Sequence, residues 1–167
     1  MTTLPPPTGS TSGNGNGRSH GLRPHREPAL IPSGLLPQRS AAALLALSRR
    51  GLVEAAETTA PGLRYATAHL AALRAAAAVL AAKARPDPRK HRGRPATVWT
   101  LLSAVAPELS EWAAFFAAGA AKRAAAEAGI QRVVSTREAD DLLRDAERFL
   151  AVVSTLLGST HQMFLAG

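Results

Sequence analysis

The chain has 167 residues, a formal net charge of +8, 46% hydrophobic content and no cysteine. That length allows one modest domain plus tails, and the missing cysteine excludes disulfides, thiolate metal sites and cysteine nucleophiles, pointing to a cytoplasmic protein. The opening residues lack the charged-then-apolar order of a secretory signal. The longest apolar run, Leu70 to Ala82, is interrupted by Arg74, whereas a span needs about 20 predominantly apolar residues, so no membrane segment is expected.

Residues 1–37 are rich in Pro, Gly, Ser, Thr and Asn. Such a composition buries too little apolar surface to offset its ordering entropy, and this tail is expected to be disordered. Helical periodicity begins near Ser40, where Leu44, Leu47 and Leu52 fall on or near one side, although Gly51 weakens this first helix. Pro61 suits the first turn of a second helix, whose predicted stripe is Leu63, Ala66, Leu70, Leu73, Ala77, Leu80 and Ala84. Nine of the fourteen residues from Ala71 to Ala84 are alanine, so a neighbouring helix can approach closely while each alanine buries little area.

The stretch RPDPRKHRGRP, residues 85–95, breaks the helical pattern at three prolines and reads as an exposed loop. A short third helix follows, with Thr97 as its cap and Trp99, Leu102 and Val105 as its apolar side. The fourth has Glu108 and Glu111 in its first turn and a stop at Gly129. The fifth opens with Ser135 and Glu138 at capping-box spacing and repeats Leu142, Ala146, Phe149, Val153 and Leu156. Short connections favour antiparallel neighbours, so the expected fold is an all-α, up-and-down bundle of four main helices plus one short helix. No strand pattern competes. The bundle is expected over residues 38–157, with a C-terminal tail at 158–167.

Charge is distributed unevenly. Residues 1–40 carry a net +3 and Lys83 to Arg94 a net +5, which together equal the whole excess. A near-neutral body with basic edges points to an anionic partner touched locally. Lys83, Arg85, Arg89, Lys90, Arg92 and Arg94 are the candidate nucleic-acid-binding residues. The Arg-Gly-Arg-Pro run at 92–95 is of the kind that lays arginines into the minor groove, set against the plainer reading of a solvated basic loop. The histidines are scattered with no pair at ligand spacing, so neither a metal site nor any cofactor is expected. The acidic residues Glu138, Asp140, Asp141, Asp145 and Glu147 are accounted for by the first-turn dipole and by pairing with Arg144 and Arg148. Phe115 and Phe116 are consecutive on one helix and cannot both face one neighbour, so one of them is a candidate for a seam between protomers.

The segments RYATAHLAALRAAAAVLAAKARP, VWTLLSAVAPELSEWAAFFAAGAAKRAAAEAG and VSTREADDLLRDAERFLAVV, together with the basic loop, resemble a small actinobacterial branch of the HEPN superfamily, the higher eukaryotes and prokaryotes nucleotide-binding domain. The resemblance covers about residues 40–157. It implies an all-α domain that binds RNA or a nucleotide, often as a homodimer and in many cases beside a nucleotidyltransferase-like partner. Many HEPN domains are metal-independent endoribonucleases carrying an arginine, four to six intervening residues and a histidine, and Arg64 and His69 meet that spacing. By resemblance, His69 would handle the proton of a ribose 2′-hydroxyl or leaving group, and Arg64 would stabilise charge on the phosphate. Five residues of regular helix set the two side chains roughly 140° apart, so convergence needs a loosened first turn near Gly62 or a contribution from the partner subunit. The alternative is a non-catalytic module whose basic loop contacts nucleic acid or an acidic protein.

Overall fold

The computed structural model describes residues 29–88 and 96–165. In chain order these form a short strand β1 (Leu30–Pro32), a 3-10 turn (Ser33–Leu35), α1 (Ala41–Glu57), α2 (Pro61–Lys83), a second short strand β2 (Arg85–Asp87), α3 (Val98–Val105), a 3-10 turn (Pro107–Leu109), α4 (Ser110–Glu127) and α5 (Thr136–Leu165). The architecture is the expected helical bundle, with α2 at its centre touching each of the other four α-helices.

Local signals fix most boundaries. The Ser40 hydroxyl accepts from the Ala43 amide at 3.2 Å, and the Thr97 hydroxyl accepts from the Thr100 amide at 3.2 Å, so α1 and α3 each satisfy an otherwise orphaned donor. At α5 the box closes in both directions: the Glu138 amide donates to the Ser135 hydroxyl at 3.2 Å, and the Ser135 amide donates to the Glu138 carboxylate at 2.8 Å. Helix α4 ends in a Schellman motif, in which Gly129 takes a φ of 76° while the Ile130 amide reaches the Ala125 carbonyl and the Gly129 amide reaches that of Ala126.

Three sequence expectations need correction. A strand pair exists where none was expected: β1 and β2 run parallel in the register Leu30 to Arg85 and Pro32 to Asp87, with α1 and α2 forming the long connection that parallel strands require. The driving contact is apolar, since Ile31 is buried against Leu80 and Leu101. Consequently residues 85–87 are a strand and not loop, exposed at Arg85 and Pro86 as expected but buried at Asp87; residues 89–95, and 1–28 of the tail, lie outside the described residues. The Ser33 hydroxyl also donates to the Asp87 carbonyl. Finally, α5 continues through 158–165, beyond the end of the bundle expected at 157. A Cβ built at Gly158 would meet nothing within 4 Å, and a glycine costs a helix only about 1 kcal/mol, so it does not end one.

Of the predicted stripe of α2, Ala66, Ala77 and Leu80 are buried, while Leu70, Leu73 and Ala84 are only partly so. Leu63 is 59% exposed, whereas Ala68, Ala71, Ala72, Ala75, Ala76 and Val79 are all buried. A stripe drawn through leucines follows residue size. A helix enclosed by four others buries whichever positions face the neighbours, and here those are alanines. Among the described residues α2 alone is long and apolar enough to cross a membrane, and 67% of its most apolar window is buried inside the bundle.

Candidate functional site at Arg64 and His69

Pro61 starts α2 as a regular helix, and the Arg64 amide already makes the intrahelical bond to the Ala60 carbonyl at 2.9 Å. The first turn is therefore not loosened. The two candidate side chains leave the helix on different sides and find different partners. Arg64 donates through Nε to the Thr58 carbonyl at 2.8 Å and pairs through its guanidinium with Asp140. It ties the α1–α2 connection to the first turns of α5. With one nitrogen on a carbonyl and another on a carboxylate, its charge is already neutralised where the structure holds it.

His69 lies inside the core and is wholly buried. Its Nε2 is 2.8 Å from the Phe116 carbonyl of α4, and because a carbonyl only accepts, Nε2 carries the hydrogen. Its Nδ1 is buried with no hydrogen-bond partner among the described residues. Around the ring stand Trp99 and Phe116, both edge-on, and Tyr65, stacked one turn earlier. Burial pushes the His69 pKa below its ordinary value; the Arg123 charge adds to that, while the bond to Phe116 and the Glu127 carboxylate oppose it. The residue is a neutral donor through Nε2, and its other ring nitrogen is buried. Phe116, Trp99, Trp112 and Phe149 continue the aromatic cluster outward from it.

Gly119 is the residue that sequence reading missed. A Cβ at this position would sit 2.7 Å from the Tyr65 hydroxyl and 3.4 Å from Cδ2 of His69. Only a glycine lets α4 settle onto that pair at this depth. The signal was a lone glycine inside an alanine-rich helix, a position where local propensity gives no reason to prefer it.

The acidic residues of α5 also divide differently from expectation. Asp141 and Asp145 do pair with Arg144 and Arg148, but Asp140 pairs with Arg64 and Glu138 accepts from Lys122 of α4 at 2.5 Å. The Lys122 ammonium and the Ser135 donors hold the Glu138 carboxyl down at about 2. These two acids are struts between helices. Tyr65, close by, is pushed above its usual range by burial, with Lys122 opposing and Glu138 adding to the rise.

Of the basic candidates, Lys83 closes α2 and donates to Glu108 at 3.3 Å, while Arg85 is exposed on β2. Arg89, Lys90, Arg92 and Arg94 lie outside the described residues. A surface cavity of about 380 Å³ between the start of α2 and the α4–α5 connection is lined by residues including Leu63, Ile130 and Arg132, and by neither Arg64 nor His69. No group of three or more His, Cys, Asp or Glu residues that could hold a metal ion occurs among the described residues.

A family model described as SAV_6107-like HEPN matches residues 55–154. The chain belongs to this HEPN family. The match runs from the end of α1 to the middle of α5, so the HEPN core includes α2, α3, α4 and the aromatic cluster, whereas β1 and most of α1 lie outside it. No curated protein and no solved structure matched the chain.

Proposed function

We propose that this HEPN domain binds RNA or a nucleotide through the basic segment at 83–94 and does not cleave it. The observation that carries this reading is the state of His69. A general base must reach the proton it removes, directly or through one water. The Nε2 hydrogen of His69 is spent on the Phe116 carbonyl, and its Nδ1 is buried without a hydrogen-bond partner among the described residues. Arg64 is likewise committed to Asp140 and Thr58. Cleavage at this pair would require α4 to lift from α2 and break the aromatic cluster. The basic segment carries no such cost where it is described: Arg85 is exposed on β2, and Lys and Arg contact phosphates through accessible positive charge.

The test uses the full chain, single-stranded RNA and a chelator, with binding read by fluorescence anisotropy and cleavage on denaturing gels. Binding that weakens with salt, with a log–log slope near 0.7 per phosphate contact, and that falls at least tenfold in a variant with Arg89, Lys90, Arg92 and Arg94 changed to Ala, supports the reading. Cleavage abolished by both His69→Ala and Arg64→Ala, with both variants folded, overturns it in favour of a ribonuclease. Salt-independent association, or none, overturns it in favour of a protein-contacting module.

A further inference from the structure

The surface cavity of about 380 Å³ between the start of α2 and the α4–α5 connection takes no part in the proposed RNA contact. It sits at the Pro61 end of α2, whereas the basic segment begins at the Lys83 end, about 33 Å away along the helix axis. Its volume falls at the small end of ligand sites, which run from about 300 to 1,000 Å³. The apolar part of its wall is aliphatic throughout: Pro61, Leu63, Ala126, Ile130, Val133 and Val134 line it, and the lining contains no aromatic and no acidic residue. Leu63 on α2 is 59% exposed and Ile130 on the α4–α5 connection 58%. A single exposed leucine is ordinary, but here two large aliphatic side chains from different elements meet water at one concavity.

The charge in the lining has one sign. Arg132 is its only charged residue, is exposed, and makes no ion pair among the described residues. Its φ of 60° is left-handed, a conformation uncommon for a residue with a side chain. The amides of Gln131, Arg132 and Val134, all lining residues, donate to no acceptor among the described residues. An unpaired guanidinium beside free amides suits an anion. Aliphatic walls suit a hydrocarbon body, whereas nucleobases are held chiefly by stacking on aromatic rings, of which this lining has none. We propose that the cavity binds a small aliphatic carboxylate, with its charge on Arg132 and the loop amides and its hydrocarbon chain between Leu63 and Ile130. The planar fork of an arginine matches a carboxylate bidentately, and the chain removes apolar surface of both side chains from water. Bound there, the ligand bridges the start of α2 and the α4–α5 connection and stabilises the bundle by mass action. This site works independently of the RNA contact at the other end of α2.

Titration of the full chain with octanoate, kept below its micelle concentration and followed by amide chemical shifts, tests it. Wild type is expected to bind one octanoate saturably, with the largest shifts at Leu63 and across Ile130 to Val134. Neutral 1-octanol should bind at least tenfold more weakly. Arg132→Asn removes the charge while keeping a residue that tolerates the left-handed backbone, and should weaken octanoate at least tenfold with unchanged circular dichroism. Leu63→Asp, at an exposed position, sets a like charge against the carboxylate and should weaken it by at least as much. Four results overturn the proposal: no saturable shift at the cavity, octanol binding as tightly as octanoate, Arg132→Asn and Leu63→Asp both binding as wild type does, or shifts at Phe115 as large as those at the cavity. Adenosine 5′-monophosphate binding there more tightly than octanoate would replace the aliphatic acid by a nucleotide. A short peptide with a free C-terminal leucine, binding there more tightly than octanoate, would replace it by the C-terminus of a partner protein.

Discussion

Helix α2 packs by two different means on its two flanks. Toward α1 it offers backbone and alanine: the Ser48 hydroxyl donates to the Ala71 carbonyl at 2.8 Å, and a Cβ on Gly51 would lie 3.2 Å from that of Ala71. Toward α3 and α4 it meets the cluster of Trp99, Phe116, Phe149 and Trp112, with His69 at its root. The first flank gains its contact from short axial separation, the second from bulk. A seam made of bulk can hold a buried polar group only where a neighbour supplies a partner atom, and Phe116 does so for one nitrogen of His69 but not the other. The alanine flank leaves no such debt.

The largest expected break in this comparison is Gly119→Ala. The added methyl would come within 2.7 Å of the Tyr65 hydroxyl, and overpacking of this kind costs about 1–3 kcal/mol against a helix-propensity gain of about 1 kcal/mol. The measurement is the midpoint of urea unfolding, which should fall with an unchanged slope. A Tyr65→Phe background removes the offending oxygen and should recover much of the loss, placing the conflict at that hydroxyl and not in α4 as a whole.

A smaller effect isolates the aromatic flank by pH. Burial lowers the folded-state pKa of His69 below 6.5, so the unfolded chain binds the proton more readily. Stability from neutral burial is therefore complete above about 6.5 and declines as pH falls below that value. Glu138 behaves in a separate window: its carboxyl is held at about 2 against an ordinary 4.5, so its contribution is present above 4.5 and is lost as pH falls toward 2. Unfolding midpoints measured from pH 8 to pH 3 should show two declines, and His69→Leu should remove only the upper one. An unchanged upper decline in that variant would place its origin outside the aromatic flank.

The legible and illegible parts of this molecule divide along the same line. Caps, stops and periodicity are written in single residues, and Ser40, Thr97, Gly129 and the Ser135–Glu138 box all act where the sequence put them. The family resemblance was legible too, carried by the segments around α2, α4 and α5. What escaped depends on which surfaces meet. Alanine-rich α2 has no strong apolar direction of its own, so its buried sides are set by its neighbours. Ile31 earns its strand only because Leu80 and Leu101 leave a place for it. The Arg64–His69 spacing could be read directly, but not that Asp140 and the Phe116 carbonyl, 76 and 47 residues away, would each take one member.

Gly51→Ala sharpens the comparison from the alanine side, and its expected effect is the smallest. Replacing a glycine inside a helix stabilises by about 0.5–1 kcal/mol through propensity and reduced unfolded-state freedom. Against that, the new methyl would meet the Ala71 Cβ at 3.2 Å and the Arg74 guanidinium at 3.5 Å. The guanidinium is a movable end, whereas the Ala71 Cβ is fixed to the backbone of α2, so α1 must retreat by a few tenths of an ångström. That retreat lengthens the Ser48 bond to the Ala71 carbonyl, now 2.8 Å, and consumes much of the gain. Net stability should therefore change by less than about 0.5 kcal/mol, while amide exchange at the middle of α1 quickens relative to its ends. A gain of the full propensity value would show that α1 yields freely, and that the close approach at Ala71 is an incidental consequence of small side chains and not a constraint on the bundle.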